Sequence, residues 1–259
     1  MKKEIKLCIQ YLARKFGLEI RVSSIKSRDD LRLAHFLVKF NIDLVLDVGA
    51  NKGQFAQQLF AAGYPGRIVS FEALPEEHAK LIELAETFGP RWIIAPRMAL
   101  SDQSGLATFH VTAFSQSSSL LQPNEGFSVS APELSKYQNI EVATDRLDDL
   151  FDRMQIAYEN VFIKLDTQGS ELLVLSGAPN LFRIAKGLMS ELSLGQLYNS
   201  QPPARDVYKR ITAAGFDLWD VWPGYRDPES LRLNEVDALF FRSSADAAAR
   251  NTPAAAESV

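Results

Sequence analysis

A single cysteine, Cys8, occurs in the 259 residues of this chain. A lone thiol excludes an intrachain disulfide and a cysteine-built metal cluster, and it is compatible with a reducing compartment. Histidine is scarce too: His35, His78 and His110 are the only three, and no pair has zinc-ligand spacing. With no His pair and no tight run of acids, no bound metal is expected. Long apolar runs are missing, so no window reaches the roughly 20 residues of a membrane span. The start, Met1-Lys2-Lys3-Glu4-Ile5-Lys6, lacks the apolar core and small-residue cleavage site of a secretory signal. An excess of positive charge is also absent: Lys and Arg number 28 against 32 Asp and Glu, a formal net charge of −4, which offers no broad attraction for nucleic acid. These absences together read as a soluble, cytoplasmic protein with no nucleic-acid partner, and a homo-oligomer is compatible with them.

What is present is enough apolar material for a full core. At 46% hydrophobic residues, the chain is most economically one domain with short extensions. Residues 4–16 put Ile5, Cys8, Ile9, Leu12 and Phe16 on one helical face. Residues 28–40 repeat the pattern with Leu31, Ala34, Leu37 and Val38, behind Asp29 or Asp30 as cap. Packing against a sheet edge is the commoner use of such stripes, a membrane surface or partner the rarer one. From residue 42 onward strands alternate with helices: strands near 67–72, 92–99, 106–112, 160–166, 187–192, 216–222 and 236–242, helices at 53–62, 75–88, 146–154, 169–176 and 204–214. Pro75 suits a first helical turn, and Gly63, Gly89, Gly177 and Gly215 fall where helix ends favour a left-handed residue. The alternation predicts a doubly wound α/β fold with a mainly parallel sheet. The last two strands have no helix between them and should pair as a long-looped hairpin, leaving the final strand antiparallel. The expected organisation is an N-terminal helical extension over 1–41, the α/β domain over 42–242, and a disordered tail over 243–259 that carries no large apolar residue except its terminal valine.

Chemistry concentrates in residues 42–53, Ile-Asp-Leu-Val-Leu-Asp-Val-Gly-Ala-Asn-Lys-Gly. The apolar run reads as a buried parallel strand, and the glycine-bearing turn after it as a place where backbone approaches a ligand closely. A dinucleotide loop would read G-x-G-x-x-G, whereas the order here is Asp47-x-Gly49-x-Asn51-x-Gly53. A carboxylate at the strand end repels a pyrophosphate and can pair with an ammonium, which favours a ligand with an amino-acid head group. S-adenosylmethionine (SAM) fits. Glu72, ending the next strand, lies where an acid can accept both ribose hydroxyls. Asp166 and Glu191 are carboxylates at further strand ends, where open α/β sheets bind ligands and where a raised pKa would make a proton acceptor. Either Asp166 contacts an acceptor or it merely caps the helix that follows, and Glu171 reads equally as a helix-stabilising acid. His110 could approach an acceptor, although a structural imidazole is the commoner fate of a strand histidine. Residues 113–139 are long for a connector and read as a lid or a surface loop. Trp219, Trp222 and Tyr225 offer aromatic faces to a sugar, or simply packing.

The ordered motifs narrow this further. Asp47-x-Gly49-x-Asn51-x-Gly53, the run Ala99-Leu-Ser-Asp-Gln-Ser-Gly-Leu-Ala-Thr-Phe109, the serine cluster Ser117-Ser-Ser-Leu120, and Lys164-Leu-Asp-Thr-Gln-Gly-Ser-Glu171 with its apolar continuation together resemble the FkbM family of class I SAM-dependent methyltransferases. The resemblance covers roughly residues 42–242. It implies a Rossmann-like seven-stranded sheet and a hydroxyl-methylating enzyme whose acceptor is a sugar, a glycan or a secondary metabolite. It further implies that Asp47, Gly49, Asn51 and Gly53 line the methionine end of SAM, that Glu72 holds the ribose and Asp102 lies near the adenine. Asp166 and Glu191 would stand beside the transferring methyl, with Gln168, Ser118 and His110 as acceptor contacts. One departure stands out: the family pattern Asp-x-Glu-Gly-x-Glu here reads Asp166-Thr-Gln168-Gly-Ser-Glu171, with an amide in place of the middle acid. Two rival readings share the half-site: a SAM-binding protein without catalysis, which Gln168 would suit, and a nicotinamide-dependent oxidoreductase, which Asp47 and the missing third glycine oppose.

Overall fold

The computed structural model describes residues 9, 11–18, 24–124 and 136–242. The tail over 243–259 and most of the helix expected over 4–16 lie outside the described residues. Where that first helix is described, over 11–15, only Ala13 is buried, and Ile9, Leu12 and Phe16 are exposed; those three do not pack on the sheet. Among the described residues no helix is long and apolar enough to cross a membrane.

The element order is α1 (Asp29–Lys39), β1 (Leu44–Val48), α2 (Gln54–Ala61), β2 (Arg67–Phe71), α3 (Pro75–Glu86), β3 (Trp92–Ile94), β4 (Ala99–Leu100), β5 (Gly105–Thr112), β6 (Tyr137–Asp145), α4 (Leu147–Met154), β7 (Val161–Leu165), α5 (Glu171–Ser176), α6 (Pro179–Ile184), β8 (Gly187–Ser193), α7 (Ala204–Thr212), β9 (Phe216–Pro223) and β10 (Glu235–Arg242). Seven strands form one sheet in the order β3-β2-β1-β7-β8-β10-β9. β1, β2, β3, β7 and β8 pair in parallel, while β10 runs antiparallel to both β8 and β9. This is the doubly wound α/β architecture with its terminal hairpin. The strand order reverses between β1 and β7, which makes the crevice above their carboxyl ends the topological switch point.

Because side chains alternate across a strand, the central strands are apolar on both faces and feed two cores. Leu44, Leu46 and Val48 pack with Val161, Ile163, Leu165, Leu188 and Phe240 on one face. Val45, Ile68, Phe162, Met189 and Leu239 pack on the other, against Leu33 and Leu37 of α1 and Ala56 and Leu59 of α2. α1 therefore covers the sheet near the hairpin, where Phe36 and Phe40 meet Trp219 and Phe241. Neither acid caps it: the N-cap is Arg28, and Asp29 and Asp30 lie inside the first turn.

Two readings of the sequence need revision. The expected strand over 92–99 is two short strands, and residues 105–112 join a separate three-stranded sheet, β4-β6-β5, through an unexpected strand over 137–145, whose first three residues fall in the segment 113–139 expected to be a lid or surface loop. Its sequence Tyr-Gln-Asn-Ile-Glu-Val-Ala-Thr-Asp hid it, because Ile140 and Val142 are its only large aliphatic residues and four of its nine positions are exposed. Gly177 also differs from Gly63, Gly89 and Gly215. Those three have positive φ, whereas Gly177 is right-handed. Its need is space: a Cβ there would stand 2.0 Å from the Ser101 carbonyl oxygen.

Candidate active site

A cavity of about 670 Å³ opens above the carboxyl ends of β1, β2, β7 and β8, a size common for small-molecule sites. The loop after β1 forms its floor. Gly49 has φ +78, and a Cβ there would lie 1.8 Å from the Asp166 carbonyl oxygen, so the loops after β1 and β7 touch backbone to backbone. Asn51 is also left-handed, and its amide N–H donates to Glu72 Oε2 at 2.7 Å. Glu72 Oε1 accepts from the Leu74 N–H at 2.7 Å. Burial raises the Glu72 carboxyl above its ordinary value against the pull of these backbone donors. Gln54 and Phe55, opening α2, line the same end.

Next to this loop a polar row crosses the sheet. Asp47 is register partner to Ser70 on one side and Lys164 on the other. Ser70 Oγ donates to Asp47 Oδ2 at 3.0 Å and receives the Trp92 indole N–H at 2.9 Å. Lys164 Nζ lies 3.1 Å from Asp47 Oδ1 and 3.2 Å from Asp166 Oδ2, and donates to the Gly49 carbonyl at 3.1 Å. Burial disfavours the ammonium, but Asp166 and Asp47 outweigh it and hold Lys164 above its ordinary pKa. The Asp47 carboxylate is 0% exposed and does not line the cavity; Lys164 stands between it and any ligand. Asp47 thus positions the ammonium that fixes the Gly49 loop.

At the far end the loop after β7 carries Gln168 in a left-handed conformation, φ +55. Its amide nitrogen donates to Asp166 Oδ1 at 3.1 Å and to Glu191 Oε2 at 2.7 Å, and its carbonyl oxygen lies 2.8 Å from the Tyr198 hydroxyl. Two carboxylates share one neutral donor. A glutamate at 168, as in the family pattern, would place a third acid between them, where the amide supplies a neutral donor. Glu171 is turned inward, its Oε1 accepting from the Thr167 and Gly169 N–H groups and the Thr167 hydroxyl. Burial, opposed by these donors, raises it to about 6. It clasps the loop that presents Asp166 and Gln168.

Gly49, Asn51, Glu72, Ser118, Asp166, Gln168 and Glu191 all line the cavity. Gly53, Asp102 and His110 do not. Gly53 is the left-handed N-cap of α2, packed against Trp92. Asp102 is solvent-exposed beside Ser101, while the neighbouring Met98, Ala99 and Leu100 supply the lining. His110 sits on β5 with Nδ1 2.9 Å from Asn139 Oδ1, outside the cavity. The lid expectation splits as well: 114–118 and Leu120 line the cavity, Ser115 is tied to Asn51, residues 137–139 belong to β6, and residues 125–135 lie outside the described residues. Trp222 and Tyr225 line the cavity, and Trp219 packs on α1.

Three charged lining residues had been given no role from the sequence: Lys164, Glu235 and Asp237. A lysine inside the apolar run Val-Phe-Ile-Lys-Leu, and two acids at alternate positions opening Glu-Val-Asp-Ala-Leu-Phe-Phe, were the available signals, since a charge in a buried strand needs a partner or a purpose.

A parallel sheet with an antiparallel seventh strand, and a glycine loop and acidic strand ends converging on one crevice, define a class I methyltransferase-like protein. The profile of the methyltransferase FkbM domain matches residues 47–218, and the chain belongs to that family of methyltransferases. It is 26% identical over 226 residues to the 2-O-methyltransferase NoeI of Sinorhizobium fredii (strain NBRC 101917 / NGR234), covering 80% of this chain and 86% of that protein. Solved structures that superpose on it include TehB from Haemophilus influenzae, at 10% identity and a TM-score of 0.44 over 90% of this chain and 66% of that one. Another is the 1,6-didemethyltoxoflavin-N1-methyltransferase of Burkholderia thailandensis with bound S-adenosylhomocysteine, at 12% identity and a TM-score of 0.41 over 84% and 80%.

Proposed function

We propose that this methyltransferase uses SAM and methylates a hydroxyl oxygen of a sugar, glycan or secondary-metabolite acceptor. The observation that carries the reading is the division of one cavity into two chemically different ends, a glycine loop with Glu72 at one and a carboxylate-rich wall at the other. The residues fit the cofactor: the left-handed turn at Gly49 and Asn51 brings loop backbone to the cavity, Glu72 Oε1 and Oε2 each retain acceptor capacity for ribose hydroxyls, and Met98 to Leu100 offer an apolar slot for a base. The kinship with a 2-O-methyltransferase supports oxygen as the acceptor atom.

When bound, SAM supplies an electrophilic methyl on its sulfonium. The protein must then align the acceptor, exclude water and accept the hydroxyl proton. Asp166, fixed by Lys164 and Gln168, orients the hydroxyl. Glu191 takes the proton: burial first, then the nearby charges of Asp166, Glu235, Glu171 and Asp237, push its carboxyl well above the ordinary value, so its ionised form is a strong acceptor. The test is calorimetric titration with SAM, S-adenosylhomocysteine and NAD, followed by labelled-methyl transfer to a panel of hydroxyl acceptors. Binding of NAD instead of SAM, or label appearing on nitrogen or carbon, would overturn the reading.

A further inference from the structure

The wall opposite the glycine loop is built from the β8–β10 pair. Glu191 and Asp237 are directly opposed register partners there, and Glu235 lies two residues before Asp237, on the same face of β10. Like charges at opposed positions of an antiparallel pair destabilise it, and this face carries a third. Among the described residues the other lining acids have partners: Asp29 pairs with Arg32, Asp30 with Arg28, and Asp166 with Lys164. Glu72 is held by two backbone N–H groups and Glu191 by the Gln168 amide. Glu235 is 6% exposed, lines the cavity, and its carboxylate has neither a hydrogen bond nor an ion pair among the described residues. Asp237 has none either and feels Lys164 only as a distant attraction. Burial followed by the charges of Asp166, Glu171 and Asp237 pushes Glu235 up to about 8, and burial with Asp166 pushes Asp237 to about 6. Trp222 and Tyr225 complete the wall, and aromatic faces beside carboxylates suit an ammonium as well as the apolar face of a sugar ring.

A buried, unpartnered carboxylate facing a cavity is a site for a cation that the ligand brings. We propose that the acceptor end of the cavity is an ammonium subsite, so that the acceptor is an amino sugar or similar polyhydroxy amine whose protonated nitrogen is received by Glu235 and Asp237 while a nearby hydroxyl faces Asp166 and Glu191. The ammonium supplies the positive charge that this face lacks and draws both carboxyls into their ionised form. A divalent cation fits less well, since no group of three or more His, Cys, Asp or Glu side chains among the described residues has the geometry to hold a metal. The inference deepens the methyltransferase reading and rests on it for the identity of the second ligand.

The experiment uses the full chain saturated with S-adenosylhomocysteine. Binding of methyl glucosaminide and methyl galactosaminide is measured by calorimetry at neutral pH, each against its N-acetyl and its parent hydroxyl counterpart, in the native protein and in Glu235→Gln and Asp237→Asn. The free amines should bind about tenfold or more tightly than their neutral counterparts, as expected of a buried charge-assisted hydrogen bond, and each substitution should remove most of that preference. Equal affinity for amine and N-acetyl forms, no binding by either amine, or a preference that survives both substitutions would overturn the proposal. So would a loss of SAM affinity in the two variants matching the loss of amine affinity, which would assign the carboxylates to the donor, or tight Mg²⁺ or Ca²⁺ binding abolished by the same substitutions. Failure of the function proposed above looks different: SAM would not bind, or label from SAM would reach the amine nitrogen although the amine preference held.

Discussion

The two ends of the cavity treat their acids differently. At the glycine-loop end the carboxylates are tied down before any ligand arrives: Glu72 by two backbone N–H groups, and Asp47, behind the lining, by the Ser70 hydroxyl on one oxygen and an ion pair with Lys164 on the other. At the hairpin end Glu235 and Asp237 have no such partner, and Glu191 has one amide. The first arrangement fixes backbone, as the proposed cofactor cradle would need. The second stores like-charge repulsion in a low-dielectric wall, which is costly in the free protein and is relieved only by a ligand of opposite charge. Selectivity for the acceptor is thus expected where the electrostatics are incomplete, and affinity for the donor where they are complete.

The sharpest way to break this contrast is to unbalance the finished end. Asp47→Ala leaves Lys164 buried with one carboxylate fewer, and should cost roughly 3 kcal/mol of folding stability, the scale for removing one partner of a buried ion pair. Chemical denaturation measures it. A variant of native stability that simply binds SAM more weakly would show that Asp47 contacts ligand after all. Next in size, Asp166→Asn should lower turnover by about 10²-fold, as expected when a residue that orients or relays a proton is neutralised, with SAM affinity much less affected; single-turnover methyl transfer against calorimetry separates the two.

The hairpin end predicts a pH dependence of opposite sign to the usual carboxylate. Glu235 is raised from an ordinary 4.5 to about 8, so between those values the folded state holds a proton that the unfolded chain has released. Stability contributed by that proton is present at low pH and lost as pH rises toward 8. Glu235→Gln cannot lose it. Its melting temperature relative to the native protein should therefore climb from pH 5 to pH 8, by an amount on the order of 1–3 kcal/mol in stability. A gap that stays constant or narrows would mean the carboxylate is already ionised and paired. The smallest effects belong to residues that neither end uses: His110→Ala and Asp102→Ala should each leave stability within about 0.5 kcal/mol, as for surface sites, and SAM affinity unchanged by calorimetry. A marked fall in SAM affinity for Asp102→Ala would return that residue to the adenine pocket.

Much of the molecule was legible in the chain itself. The buried strand over 44–48, the glycine turn after it, the alternation of strands and helices and the terminal hairpin all follow from local rules, because apolar periodicity, glycine and proline act over a few residues. So does the departure at Gln168, which the motif exposed without explaining. The polar strand over 137–145 escaped those rules, since Ile140 and Val142 alone mark its inward face and their polar neighbours conceal the alternation.

The partners of the charged groups were a different matter. Sequence alone determined that Asp47, Glu72 and Asp166 fall at the carboxyl ends of their strands, because strand polarity and chain order put them there; Glu191, expected at a strand end, lies inside β8, paired with Asp237. Only the tertiary structure decided which of them lines the cavity. Register places Lys164 beside Asp47 and so seals that carboxylate, and the same register sets Asp237 against Glu191 across the last strand pair. Burial and pairing arise between residues more than 40 positions apart, where a carboxylate's role depends on the charge that folding brings next to it.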